Sequence, residues 1–308
     1  MRNPEELYTW HRDVEFDTPP VLLHAFSGFV DAGSGVRIAA DHILESCEQH
    51  LIATFDVDEV LDYRARRPRM SYVVDHFASV DIPQISLHEV TDPNGARFLL
   101  LVGPEPDYQW QRFIAAVHGI VERCEVRLAV GLSAIPWPAP HTRPLGLTIH
   151  GSEPALVAGF TSVIGEIEVP GHVGAMLELS LGEQGVPSMG VTAQVPHYLV
   201  QFEYPRGAQA LLEGVASVTG LALSSAGLQE SADAADREVA KQLEGNDEFG
   251  VIVTTLETQY DQLAAGAAMA AGLSELTPDG EMPTGDEIAA QVEEFLNGLR
   301  DDDERKDA

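Results

Sequence analysis

The sequence predicts an α/β protein: a three-layer α/β/α domain with a mostly parallel sheet, followed by a small all-helical C-terminal domain. Short apolar runs alternate with longer amphipathic segments through about 200 residues, which is the pattern of successive βαβ units. Several of these runs are continuously apolar, as in strands that are buried on both faces. Beyond Ser224 only helical periodicity remains, so the second domain is expected to contain helices alone.

The first strand and helix lie within residues 20–44, PVLLHAFSGFVDAGSGVRIAADHIL. An apolar strand enters a glycine-rich turn and leaves as an amphipathic helix over about residues 34–47. Gly28, Gly33 and Gly35 permit positive φ and close approach of the backbone. The unpaired N–H groups of the following helix would point into the turn.

This turn has two interpretations, a structural connection or a site for one anion at Gly33, Ser34 and Gly35. A nucleotide-binding loop is disfavoured, because Ser34 occupies the place of the P-loop lysine and Ile38 that of the third dinucleotide-loop glycine. Asp31 could act as a base or cap the helix, and capping is the favoured role.

The N-terminal segment up to Pro20 is expected to contribute a short edge strand with Tyr8 and Trp10. Residues 85–90 and 97–102 are typical of a hairpin, and the Asn-Gly pair between them predicts a type I′ turn. The other strands are expected at 50–57, 126–132, 147–152, 164–169 and 186–195. Helices are expected at 108–123, from about 206, and after the turn in EVPGHVGAMLELSLGEQG, where the helix ends at Gly182 or Gly185.

Arginines are concentrated in one segment of an otherwise acidic chain, at Arg64, Arg66, Arg67 and Arg69. Arginine suits carboxylate or phosphate recognition, so Arg64 and Arg66 are candidate anion ligands. The alternative is a surface loop whose arginines pair with the protein's own carboxylates.

A proline-rich loop, SAIPWPAPHTRP, follows the buried strand at 126–132 and contains Ser133, Trp137, His141 and Arg143. The carboxyl ends of parallel strands form the crevice where ligands bind, so these residues and His197, after a later strand, are site candidates. A rigid loop that packs over the sheet or against a neighbouring subunit is the open alternative.

The formal net charge of −31 disfavours nucleic acid and anionic membranes as partners. From Ser224 to the C-terminus, 21 acidic residues stand against 5 basic ones, which marks a boundary. We therefore expect an α/β domain at 1–223, a helical domain at 224–300 and a disordered acidic tail at 301–308.

Several classes of chemistry find no support in the sequence. The only lysines are Lys241 and Lys306, which excludes a P-loop lysine or a Schiff base in the first 240 residues. Neither a nucleophile elbow nor a metal-binding cluster is present, so no catalytic residue, metal or cofactor is predicted. No apolar window has the length of a membrane span and the N-terminus is charged, which favours a cytoplasmic protein.

Three stretches resemble the PAC2 family, named for proteasome assembly chaperone 2, in its actinobacterial branch. They are SGFVDAGSGVRIAADHIL, the pair GLSAIPWPAPHTRP and EVPGHVGAMLELSLGEQGVPSMGVTAQVPHY, and LTPDGEMPTGDEIAAQVEEFL. The resemblance implies a phosphorylase/hydrolase-like topology with a helical C-terminal extension, and it implies oligomerisation. Eukaryotic relatives assist proteasome ring assembly, and enzymes of this fold bind phosphate near the turn that corresponds to Gly33, Ser34 and Gly35.

The leading hypothesis is a homo-oligomeric, non-enzymatic protein that binds a protein client as an assembly chaperone or scaffold. The alternative is an enzyme or sensor that binds a small molecule or anion at the first glycine-rich turn. A third hypothesis places partner binding on the acidic helical segment that precedes the tail, where a last helix is predicted at 288–299, through Ile288, Phe295 and Leu299. The candidate anion-binding residues are Gly33, Ser34, Gly35, Arg64, Arg66, His141, Arg143 and His197.

Overall fold

The computed structural model describes residues 2–160, 165–243 and 247–275. The chain divides into two compact units, Met1–Val253 and Thr254–Ala308. The first unit includes the helix Gln229–Leu243, whereas the sequence predicted a boundary after residue 223, which stays a prediction. The predicted last helix at 288–299 and the acidic tail lie outside the described residues.

The described residues contain ten strands and seven α-helices. The strands are β1 (Tyr8–Trp10), β2 (Val21–Ser27), β3 (Glu48–Phe55), β4 (Arg69–Val73), β5 (His76–Asp81), β6 (Ser86–Thr91), β7 (Arg97–Pro104), β8 (Leu128–Trp137), β9 (Leu147–Gly151) and β10 (Ser188–Pro196). The α-helices are α1 (Gly35–Ser46), α2 (Val57–Val60), α3 (Trp110–Arg123), α4 (Val173–Glu183), α5 (Pro205–Thr219), α6 (Gln229–Leu243) and α7 (Asp247–Glu275). None of these described helices is long and apolar enough to cross a membrane.

Eight strands form one mixed sheet in the order β1-β3-β6-β7-β2-β8-β10-β9. The four strands β7, β2, β8 and β10 are parallel, whereas β1, β3, β6 and β9 pair antiparallel with their neighbours. The prediction of a mostly parallel sheet therefore holds only for its centre. Parallel pairs need a crossover, whereas the short β6–β7 connection can join only antiparallel strands.

Helices cover both faces of the sheet, so the predicted three-layer α/β/α architecture is confirmed. On one face α1 and α5 pack over residues such as Leu23, Val130 and Val191. On the other face α3 and α4 pack over residues such as Leu22 and Leu99. The central strands are buried on both sides, which explains their continuous apolar sequences.

The predicted edge strand and the β6–β7 hairpin are both present. Strand β1 pairs with β3 at the edge of the sheet. The prediction of a type I′ turn was wrong. Such a turn needs positive φ at both central residues, here Asn94 and Gly95, and only Gly95 has it, at +85°. Instead, Asp92 Oδ1 accepts the N–H groups of Asn94 and Ala96 and sets the shape of the turn.

Two further differences concern strands. The strand predicted at 164–169 is wrong for its described part, because residues 165–169 form an irregular segment that precedes α4. The sequence reading also missed β4 and β5, which form a separate two-stranded hairpin with no exchange of hydrogen bonds with the large sheet.

Candidate functional site

A cavity of about 440 Å³ lies between the large sheet and the beginning of α4. Its floor is the face of β2, β8 and β10 that carries His24, Gly131 and Gly190. Its walls are mostly apolar. The polar side chains that line it are those of His24, Glu105, Ser133, Thr148, His150, His172, Glu178 and Thr192.

Two glycines within strands give the floor its shape. A Cβ atom at Gly131 would lie 2.6 Å from Cε1 of His24, and one at Gly190 would lie 2.2 Å from Nε2 of His150. The two imidazole rings therefore occupy the space that side chains at these strand positions would fill. A glycine inside a strand often marks such a close approach.

His24 is the most deeply buried polar group of the cavity lining, with 2% of its surface exposed. Its Nε2 atom is buried and has no hydrogen-bond partner among the described residues. Burial, with a smaller contribution from nearby His172, lowers the pKa of His24 to about 4. The ring is therefore neutral at pH 7.

The beginning of α4 is held by two side chains. Glu105 Oε1 accepts the backbone N–H of Val173 at 2.9 Å, and His172 Nδ1 accepts that of Ala175 at 3.3 Å. Because Nδ1 of His172 is an acceptor, the proton of the neutral ring is on Nε2. Burial lowers the pKa of His172, which favours this neutral form.

His150 and Glu178 also line the cavity and are joined by a hydrogen bond, with Nε2 and Oε2 3.1 Å apart. The hydrogen bond to Glu178 raises the pKa of His150 against the opposing effect of burial. Nearby, the hydroxyl oxygens of Ser133 and Thr192 are 2.6 Å apart. The cavity thus combines a hydrogen-bonded histidine–carboxylate pair, two histidines whose pKa is lowered by burial, and hydroxyl groups.

The glycine-rich turn between β2 and α1 reaches the cavity only with Phe29 and Val30, and Gly33, Ser34 and Gly35 are outside the cavity lining. The N–H groups of Gly33, Ser34 and Gly35 all donate to backbone carbonyl groups of the protein. The next N–H, that of Val36, donates to Asp31 Oδ1 at 2.7 Å, so the capping role of Asp31 is confirmed. An anion at this turn would have to displace these hydrogen bonds.

The arginine segment makes contacts within the protein at one position. Arg66 donates to the backbone carbonyl of Glu105 and forms a 3.0 Å salt bridge with Asp107. The alternative of pairing with the protein's own carboxylates is therefore confirmed for Arg66. Arg64 is exposed.

Two predicted histidines meet at Tyr198. Nδ1 of His141 lies 2.8 Å from the Tyr198 hydroxyl, and the ring of His197 packs edge-on against the tyrosine, with centroids 5.3 Å apart. Arg143 is half-buried in the same proline-rich loop as His141.

The eight predicted anion-site residues are absent from the described lining of the cavity, and their anion binding stays a prediction. Of the side chains proposed in the proline-rich loop, Ser133 does line it. Sequence reasoning missed His24, His150 and His172. The one available signal was glycine within two apolar strands, at Gly131 and Gly190.

A second feature is the hairpin formed by β4 and β5, which is exposed throughout. Large apolar side chains project from it, with Tyr72 61%, Val74 91% and Phe77 67% exposed. The rings of Tyr72 and Phe77 pack edge-on, with centroids 5.2 Å apart. Contiguous exposed apolar surface of this kind is typical of an interaction site.

Within the described part of the chain, no group of three or more His, Cys, Asp and Glu side chains is placed to hold a metal ion. The carboxylates of the cavity already accept hydrogen bonds from Val173 and His150.

The protein is of the α/β/α class, because its mixed eight-stranded sheet lies between two helical layers. It has two candidate binding surfaces, the exposed apolar hairpin and the cavity lined by histidines. The chain belongs to the PAC2 family, whose sequence model matches residues 25–243. No curated protein shows a significant sequence match.

Solved structures from actinobacteria are similar to this chain. A Mycobacterium tuberculosis protein of unknown function is 41% identical, with 84% of this chain and 92% of that one covered and a TM-score of 0.80. A Corynebacterium glutamicum protein of unknown function is 35% identical, with 83% of this chain and 97% of that one covered and a TM-score of 0.78. A proteasome-assembly chaperone homologue from M. tuberculosis is 25% identical, with 76% of this chain and 99% of that one covered and a TM-score of 0.69.

Proposed function

We propose that this chain is a non-enzymatic, homo-oligomeric binding protein that assists the assembly of other proteins. Its membership of the PAC2 family supports this role. So does its similarity to the proteasome-assembly chaperone homologue from M. tuberculosis. The observation that carries the proposal is the exposed apolar hairpin of β4 and β5.

The hairpin is suited to burial against another protein chain. Tyr72, Val74 and Phe77 leave large apolar surfaces in water, and burying such surface stabilises a complex by about 25 cal/mol per Å². Both strands have an outer edge whose backbone groups can extend a sheet. Aromatic side chains are also the residue type most enriched at the centres of interfaces.

The charges near the hairpin favour a second copy of the chain as the protein that binds it. Arg64, Arg67 and Arg69 precede or begin the hairpin, and in the described part of the chain they form no salt bridge. The whole chain has a net charge of −31, so another copy presents many carboxylates to this basic segment. Local attraction between this basic segment and carboxylates of the other copy would orient the contact, whereas the like net charge of the two copies would slow their encounter.

The alternative function, a small-molecule or anion-binding enzyme or sensor with its site at the first glycine-rich turn, has weaker support. The N–H groups of Gly33, Ser34 and Gly35 are all used within the protein. Saturating phosphate would raise the melting temperature if an anion bound there, and we expect no such rise.

Oligomerisation is tested by replacing the two packed aromatic residues of the hairpin together, with Tyr72→Ser and Phe77→Ser. We expect the wild-type chain to elute as an oligomer and the double variant as a monomer, as measured by light scattering after gel filtration. The control carries Leu179→Ser and Phe202→Ser, which replace two exposed apolar residues outside the hairpin. A monomeric wild type, or a double variant of unchanged mass, would refute the hairpin interface.

The assembly role needs a separate measurement. Purified actinobacterial proteasome α- and β-subunits are mixed with and without the chain, and the appearance of assembled rings is followed on native gels. We expect faster or more complete assembly with the wild-type chain than with the double variant. An unchanged assembly rate would reject a proteasomal client without affecting the oligomer.

A further inference from the structure

We propose that the cavity beside His24 binds a neutral small molecule with an apolar body and one hydroxyl group. The inference is independent of the assembly role, because it rests on the cavity alone. Three properties carry it: the size and lining of the cavity, the unpaired nitrogen of His24, and the balance of charge.

The size and lining suit a small organic ligand. A volume of about 440 Å³ lies within the ordinary range of ligand pockets, which are mostly apolar with a few placed polar groups. Phe29, Ile167 and Val169 line the cavity although each is more than half exposed to solvent. A ligand with an apolar body would cover these side chains and remove them from water.

The unpaired nitrogen of His24 is the polar group that a ligand hydroxyl would satisfy. The ring lines the cavity, but Nε2 itself is covered in the empty cavity, so the imidazole has to turn when the ligand binds. A buried polar atom without a hydrogen bond is unfavourable, and Nε2 of His24 is such an atom among the described residues. Because the ring is neutral, Nε2 either donates or accepts a single hydrogen bond. A hydroxyl group can satisfy either form, since it is both donor and acceptor.

The charges around the cavity disfavour ions. Glu105 and Glu178 are both carboxylates, and the one nearby group with a raised histidine pKa, His150, is already paired with Glu178. An anion would therefore meet more negative than positive charge. A cation would find both carboxylates engaged, by Val173 and by His150, and would lose its hydration.

The test uses three naphthalenes that differ at one position: 2-naphthalenemethanol, 2-methylnaphthalene and the anion 2-naphthoate. Binding to the full-length chain is measured by isothermal titration or by the fluorescence of the ring. We expect the alcohol to bind once per chain. The methyl compound should bind about fivefold more weakly, since it lacks one hydrogen bond, and the anion should bind at least about tenfold more weakly.

The polar contact is tested with His24→Phe, which keeps a ring of similar size. This change should lower the affinity for the alcohol about fivefold and leave the affinity for the methyl compound unchanged. The control is His11→Phe, which replaces an exposed histidine outside the cavity lining and should change neither affinity. Circular dichroism establishes that each variant is folded.

A second variant keeps the proposal testable if His24→Phe does not fold. Phe29→Ala removes a mostly exposed side chain at the mouth of the cavity. It should lower the affinities for the alcohol and for the methyl compound by the same factor. Its control is Phe202→Ala, an exposed phenylalanine outside the cavity lining. The proposal is overturned if the alcohol does not bind, if naphthoate binds as tightly as the alcohol, or if folded His24→Phe and Phe29→Ala both retain wild-type affinity.

Discussion

Two histidines of the cavity lie across strand positions that hold glycine. The ring of His24 occupies the side-chain space of Gly131, and the ring of His150 that of Gly190. Each pair joins residues that are distant in the sequence, so the requirement for glycine is visible only after the strands pair. The approach of ring to backbone also removes His24 from water, and this burial lowers its pKa.

The lowered pKa of His24 predicts a loss of stability in acid. The folded pKa of about 4 lies below the ordinary value of 6.5, so the unfolded chain binds the proton more readily. The stability associated with neutral His24 is complete above pH 6.5 and is lost as the pH falls towards 4. For this residue the loss between pH 7 and pH 4.5 is about 2 kcal/mol.

Urea unfolding at these two pH values tests the prediction. Other groups also titrate in this range, among them nearby His172, so the informative quantity is the difference between wild type and His24→Phe. We expect the free energy of unfolding of His24→Phe to depend less on pH, whereas His11→Phe should behave as wild type. Equal pH dependence in all three chains would show that His24 is not buried in its neutral form.

At the scale of single elements, the start of α1 depends on one aspartate. Asp31 accepts the N–H of Val36, and burial of the carboxyl group raises its pKa against the effect of this hydrogen bond. Asp31→Ala should lower the free energy of unfolding by about 1 kcal/mol, the usual effect of losing a helix cap.

Asp41→Ala provides the matched control on the same helix. Asp41 forms an exposed ion pair with Arg37 one turn away, and such pairs contribute only about 0.3–0.5 kcal/mol. Urea denaturation of both variants measures the difference. If Asp31→Ala is no more destabilising than Asp41→Ala, the aspartate does not act as a cap.

The hairpin of β4 and β5 shows why an element can be missed in a sequence. Its strands contribute apolar residues, but every one of their positions is exposed, so neither face produces the alternation of a half-buried strand. The β6–β7 hairpin was predicted because its strands are buried and its turn contains Asn94 and Gly95. Its turn type was wrong because the Asp92 side chain bonds the turn backbone.

At the scale of the whole molecule, the net charge of −31 should oppose the compact state through self-repulsion. Raising NaCl from about 20 mM to about 300 mM shortens the screening length severalfold. The monomeric chain with Tyr72→Ser and Phe77→Ser is the suitable sample, because salt would also weaken charged contacts between copies. We expect its thermal midpoint to rise with salt.

Differential scanning fluorimetry at several NaCl and KCl concentrations checks this expectation. The two salts should have the same effect at equal ionic strength if screening is the cause. A midpoint that falls with salt would mean that attractive ion pairs, such as those of Arg206 with Asp233 and Asp236, outweigh the repulsion.

The sequence by itself determined those strands and helices whose burial is visible in the pattern of their own apolar residues. Continuous apolar runs predicted the central strands, helical periodicity predicted α1, α3 and α5, and the edge strand with Tyr8 and Trp10 was recognised. The family was also predicted, because its glycine turn and the order of its elements are local features of the chain. Asp31 as a cap belongs here too, since capping acts over a few residues.

Only the tertiary structure decided the mixed sheet, the exposed hairpin and the cavity. Strand order and direction depend on which distant segments pair, and no local propensity encodes that choice. His24 lies more than 100 residues before His150 and His172 in the sequence, yet all three line one cavity. The burial that lowers the pKa of His24 and His172, and the hydrogen bond with Glu178 that raises that of His150, are properties of the packed molecule, because a pKa depends on what surrounds a side chain in space.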